Sequence, residues 1–155
     1  MATSYRKPLP NPLNPQASGP FWEAAKRHEL LMPRCRRCSH LFFYPREACP
    51  RCLSSDLDWV QVSGKGRLYS FTVIHQPGNR AFEQDVPYVY AMVQLDEGPR
   101  MISNLVECPV EEATVDMPVV AVFDDVTPEV TLVKFRPAYR IPDEEFATMP
   151  NRSAS

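Results

Sequence analysis

The sequence predicts a mostly β protein in which an N-terminal helix and a four-cysteine metal-binding ribbon precede a small five-stranded barrel. Three observations carry that reading. The cysteines include two identically spaced pairs, Cys35-x-x-Cys38 and Cys49-x-x-Cys52. Beyond Ser63-Gly64-Lys65-Gly66 the chain becomes a series of short runs of Val, Ile, Tyr, Phe and Thr, broken by Pro and Gly. Finally, 155 residues with 44% hydrophobic and 23% charged side chains are enough for one packed core and too few for a large two-domain enzyme. No run approaches the ~18 apolar residues of a membrane span, so no membrane partner is expected. A net charge of -2 argues against a protein that blankets phosphate backbones.

Pro8, Pro10, Pro12, Pro15 and Pro20 crowd residues 1–20. Proline removes backbone donors and breaks helices, so this stretch is expected to be an extended arm that can reach across a neighbouring surface. It lacks the apolar stretch of a secretory signal, so a cytoplasmic location is expected. Phe21, Ala24, Ala25, His28 and Leu31 then recur at helical spacing until Pro33, predicting a helix within residues 21–33. A helix this short needs something to dock on.

Residues 34–62 form the expected ribbon, with short strands over 41–44 and 57–62. In a reducing compartment, closely spaced thiols are metal ligands more often than disulfides. Two residues between thiols let both sulfurs point at one ion, and two such knuckles supply a tetrahedral four-sulfur shell. A closed shell leaves no position for water, so the zinc it implies is structural rather than catalytic. Iron in four thiolates shares the geometry, which keeps a small electron carrier as an alternative. A pair of dithiol redox centres lacks its usual βαβ context. His40 is expected to be a surface residue of the ribbon, because four thiolates complete the shell. Lys26, Arg27, Arg34, Arg36, Arg37, Arg46 and Arg51 outnumber Glu29 and Glu47 around the site. These bases offset the metal-thiolate charge, and Arg36 and Arg37 are candidates for contact with a phosphate or an acidic partner.

The barrel is expected over residues 65–136, with strands at 67–76, 88–96, 100–106, 119–124 and 131–136. The tail, 137–155, is unassigned. Acidic residues outnumber basic ones across the barrel. A barrel that tracks a nucleic-acid strand wants the opposite sign, so no nucleic-acid partner is expected and a single-stranded nucleic-acid module is the weaker alternative. The loop between His75 and Pro87 is long for a compact barrel and carries Arg80 and an expected exposed Phe82, candidates for contact with a partner or ligand. No catalytic constellation is visible. Cys108 reads as structural, His75 and His28 as single imidazoles with a satisfied hydrogen bond rather than as bases, and Glu111-Glu112 and Asp124-Asp125 as solvated charge.

Phe21-Trp22, the four-cysteine ribbon, Ser63-Gly64-Lys65-Gly66, Ser70-Phe71-Thr72-Val73-Ile74-His75, Pro87-Tyr88, Leu95-Asp96-Glu97-Gly98 and Met117-Pro118-Val119, in that order, resemble the domain-of-unknown-function 35 family. The match spans about residues 21–136. The resemblance implies a zinc ribbon fused to an OB-fold barrel. It also implies a non-catalytic partner of enzymes that act on coenzyme A thioesters, typically thiolases, thiolase-like aldolases or hydratases, with the barrel packed near the partner's active site.

Overall fold

The computed structural model describes residues 5–10 and 15–140. A helix α1 (Pro15–Lys26) leads into strands β1 (Leu30–Cys35) and β2 (Leu57–Val62), which form a two-stranded antiparallel sheet. Strands β3 (Lys65–Ile74), β4 (Tyr88–Leu95), β5 (Arg100–Leu105), β6 (Pro118–Asp125) and β7 (Thr131–Pro137) close into a barrel of order β3-β4-β5-β7-β6. No helix among the described residues is long and apolar enough to cross a membrane.

The helix differs from expectation at both ends. It begins at Pro15, inside the stretch read as an extended arm. Proline at a first helical position loses a donor that had no partner anyway. Pro20 lies within the helix, and the residue before it is Gly19, whose missing Cβ relieves the clash that proline imposes on its predecessor. The helix also ends earlier than residue 33. His28 takes a left-handed conformation at φ 60°. Its N–H donates to the Ala25 carbonyl and that of Glu29 to the Ala24 carbonyl, each at 2.9 Å. This is a Schellman closure, with histidine where glycine is usual. Leu30 to Cys35 are therefore strand, and Pro33 sits opposite Trp59 in it rather than stopping a helix. Residues 1–4, 11–14 and 141–155, parts of the expected arm and tail, lie outside the described residues.

In the ribbon, the strand expected over 41–44 reduces to one bridge between Arg34 and Leu41. The β2 strand pairs with β1 from Leu30↔Val62 to Cys35↔Leu57. That register carries Cys35 to the strand end, where the first knuckle begins.

Alternation builds the barrel. Along β4, Val89, Ala91, Val93 and Leu95 point inward and are buried. Leu68, Leu105, Val119 and Phe135 complete the interior. The seam is the parallel β5–β7 contact, reduced to the pair Leu105↔Phe135. Two glycines allow close approach where the chain enters the barrel. Gly64 has φ 77°, and a Cβ there would lie 3.0 Å from that of Ala121, while a Cβ on Gly66 would collide with the Gln94 carbonyl. Phe21, Leu30, Met32 and Val62 belong to the same buried cluster as the barrel interior. Helix, ribbon sheet and barrel thus share one continuous core.

Candidate metal centre

Cys35, Cys38, Cys49 and Cys52 bring their sulfurs within 4.8 Å of one another. The two knuckles are built alike. Ser39 N–H donates to the Cys35 carbonyl at 2.8 Å and Leu53 N–H to the Cys49 carbonyl at 2.9 Å. Backbone N–H groups also aim at the sulfurs, Cys38 N–H at Cys35 Sγ (3.5 Å) and Arg51 N–H at Cys49 Sγ (3.4 Å). Across the knuckles, Cys35 and Cys52 Sγ are 3.5 Å apart and Cys38 and Cys49 Sγ 3.6 Å. A tetrahedron with zinc–sulfur bonds near 2.3 Å has sulfur–sulfur edges of about 3.8 Å, so the donor set fits a four-coordinate zinc.

Electrostatics point the same way. Burial pushes the Cys49 thiol up, but backbone N–H groups of Cys52 and Arg51 and the neighbouring thiols outweigh it and hold Cys49 at about 7. The Cys35 thiol is also lowered, first by the Cys38 N–H and against burial. Cys38 goes the other way, to about 12: the His40 N–H favours its thiolate, but burial and three crowded sulfurs prevail. Four thiols this close cannot all ionise unless a cation compensates them. Cys35 and Cys49 are fully buried and, with Phe42, form the ribbon's own small core. His40 stands outside the ligand cluster as expected. It is half-buried, its ring stacked on Phe42 at 5.9 Å, and its pKa is lowered by burial and by Arg51.

The other sequence candidates are distributed rather than gathered. Arg36 faces Asp56 and Asp58, each at 3.7 Å, and Arg37 is exposed beside it on the first knuckle. Arg80 is exposed in a single 3-10 turn, Arg80–Phe82, capped by the Asn79 side chain. Phe82 is not the exposed aromatic expected from its polar neighbours. It is half-buried and lines a cavity of about 440 Å³ with Tyr88 and Tyr90, and Lys7 sits 5.8 Å above its ring while bonding Asp85 at 2.6 Å.

Asp124 and Asp125 likewise have partners. Lys134 reaches Asp124 at 2.5 Å, and Asp125 takes the Thr131 hydroxyl at 2.5 Å and His28 at 2.9 Å. His28 also stacks flat on Phe123, so it ties the helix end to the barrel.

Sequence reading missed two surfaces. One is a largely apolar groove of about 610 Å³ across the β5–β7 seam, walled by Phe21, Trp22, Phe43, Tyr44, Met101 and Ile102. The other is a basic groove of about 910 Å³ between ribbon and barrel, where Arg34, Arg46 and Arg51 meet Arg100. The ribbon arginines were visible in sequence, but their convergence on Arg100 depends on the docking of two sheets.

Comparison with known proteins agrees with the fold and the site. Residues 22–58 match the family described as "ChsH2, rubredoxin-like zinc ribbon domain", and residues 59–124 that described as "ChsH2, C-terminal OB-fold domain". A "Probable enoyl-CoA hydratase alpha subunit" from Thermomonospora curvata is 44% identical over 126 residues, 81% of this chain, but the chain spans only 38% of that relative's length. A "DUF35 domain-containing scaffold protein" from Methanocaldococcus jannaschii is 36% identical over 104 residues, 66% of this chain and 73% of the relative. Among solved structures, a chain of the "Ltp2-ChsH2(DUF35) aldolase" superposes with a TM-score of 0.74 at 41% identity, covering 83% of this chain and 99% of that one. Ordered motifs, two-knuckle ribbon, five-stranded barrel and these relatives together place the chain in the DUF35 family of zinc-ribbon and OB-fold proteins.

Proposed function

We propose that this chain is a non-catalytic accessory subunit of an acyl-CoA enzyme, of the aldolase or thiolase type, and that it supports binding or turnover of a CoA thioester by its partner. The observation that carries the reading is the 41% identity across nearly the whole DUF35 chain of the Ltp2-ChsH2 aldolase. The hydratase subunit and the scaffold protein among its relatives support the same class. The metal centre supports it from chemistry. Four thiolates saturate a zinc ion and leave no open coordination position, so the ion's work is to hold the ribbon rigid. The ribbon shares a core with the barrel, and a rigid ribbon therefore fixes the barrel's faces for a partner. The protein resides in the cytoplasm, where four unpaired thiols stay reduced for the metal.

The test is capture of a tagged full-length chain from an extract of cells that carry its gene. Co-elution of an enzyme whose isolated activity consumes an acyl-CoA is the expected result. Recovery of the single polypeptide under mild conditions contradicts the reading.

A further inference from the structure

The basic groove between ribbon and barrel is charged beyond what the ribbon itself needs. Its four arginines come from three segments: Arg34 from β1, Arg46 and Arg51 from the knuckle region, and Arg100 from the start of β5. Two of them have local roles. Arg34 forks onto the Asp58 carboxylate at 3.1 and 3.3 Å. Arg100 lies over the Tyr69 ring, its Cζ 3.8 Å from the centroid, with Nε donating to Gln94 Oε1 at 2.7 Å. That contact and bond hold the side chain where it lines the groove. Arg46 and Arg51 are exposed and pair with no carboxylate among the described residues. Glu97 is the acid in the lining; its Oε1 accepts the Ser63 N–H at 2.7 Å, and its Oε2 is buried with no hydrogen-bond partner among the described residues. Phe42, Phe43, Val60 and Pro99 supply apolar wall between the charges.

We propose that this groove binds the phosphate groups of a small molecule of nucleotide size, with Arg46 and Arg51 as the phosphate forks and Arg100 as a fixed third donor. Converging guanidinium groups repel one another until an anion enters, and a phosphate dianion satisfies more of their donors than a single carboxylate does. A concave space of about 910 Å³ suits a small ligand. The identity of the phosphates as those of CoA rests on the proposed function; the phosphate chemistry does not.

Calorimetry on the full zinc-loaded chain tests this with four probes: CoA, dephospho-CoA, inorganic pyrophosphate and pantetheine, which carries no phosphate. The expected order has CoA bound and pantetheine at least about tenfold weaker. An Arg46→Gln, Arg51→Gln double variant should lose at least about tenfold in CoA affinity with zinc content and melting temperature unchanged. CoA bound more tightly than pyrophosphate assigns the site to the thioester carrier, and equal binding assigns it to free phosphates. Pantetheine binding as tightly as CoA overturns the proposal, as does an unaffected Arg46/Arg51 variant, or polyglutamate displacing every phosphate probe. Failure here leaves co-capture of an acyl-CoA enzyme untouched, so the two readings fail separately.

Discussion

Ser39 and Leu53 are structural counterparts. Each follows the second cysteine of its knuckle, each has φ 61°, and each donates its N–H back to the carbonyl of the knuckle's first cysteine. A side chain in this left-handed conformation crowds its own backbone, a strain of roughly 1–2 kcal/mol that glycine escapes. Leu53 is also 80% exposed, so its side chain has little packing to lose. Leu53→Gly should stabilise the zinc-loaded protein by about 1 kcal/mol in denaturant unfolding, after glycine's greater chain entropy is set against the strain. Ser39→Gly should act in the same direction. A loss of stability in both variants would show that the turns are held by the side chains instead.

The ribbon's private core consists of Cys35, Phe42 and Cys49, too little apolar surface to order this segment without a metal. Elemental analysis should find one equivalent of zinc and no iron, and freshly purified protein should be colourless. Chelator with reductant should abolish hydrogen-exchange protection between the knuckles while amides of β4 and β6 stay protected, because Val89, Val93 and Val119 pack independently of the ion. Cys49→Ser should reproduce the chelated state. Visible thiolate–iron absorbance would replace the structural role with electron transfer.

Two glycines should respond oppositely to alanine. At Gly66 the new Cβ meets the Gln94 carbonyl on the paired β4 strand, a backbone atom that cannot step aside. Gly66→Ala should destabilise by about 3 kcal/mol. At Gly78 nothing lies within 4 Å of the new atom and the backbone is not left-handed, so Gly78→Ala should stabilise by up to about 1 kcal/mol by restricting the unfolded chain. Thermal unfolding of the two variants side by side checks both signs.

Asp125 sets a pH dependence. The Thr131 hydroxyl first, then His28, favour its carboxylate and hold its pKa below the ordinary 3.8, against a small opposing effect of burial. A depressed folded pKa means that the unfolded chain binds the proton first. The stabilisation is therefore complete above the ordinary carboxylate value and lost as pH falls through the lower, folded value. Melting temperatures of the parent and Asp125→Asn should differ by a constant amount near neutrality. The gap should shrink as pH falls below the ordinary carboxylate value, and a gap that widens on acidification would reverse the assignment.

Local pattern explains which parts of this fold could be read from sequence. The alternation Val89, Ala91, Val93, Leu95 declares a half-buried strand by itself, and the paired Cys-x-x-Cys spacing declares a ligand set by itself. The helix ends were obscured because their determinants run against statistical habit: proline inside the helix with glycine before it, and histidine rather than glycine at the Schellman position. Residues 41–44 looked like a strand because Leu41, Phe42 and Phe43 are apolar, yet Phe42 is buried against the cysteines instead of extending a sheet. Phe82 looked exposed because Lys7, which covers it, is distant in sequence. The two grooves have no local signature, since each is walled by segments that meet only when ribbon, helix and barrel dock.

The most direct test of the accessory role is reconstitution. The enzyme co-captured with this chain should be assayed on its acyl-CoA substrate alone, with the zinc-loaded chain, and with the Cys49→Ser chain. The account predicts no turnover by the chain by itself, full turnover only when the zinc-loaded chain joins its partner, and a deficit with Cys49→Ser. Turnover of a CoA thioester by the purified chain unaided, or partner activity indifferent to its presence, contradicts it.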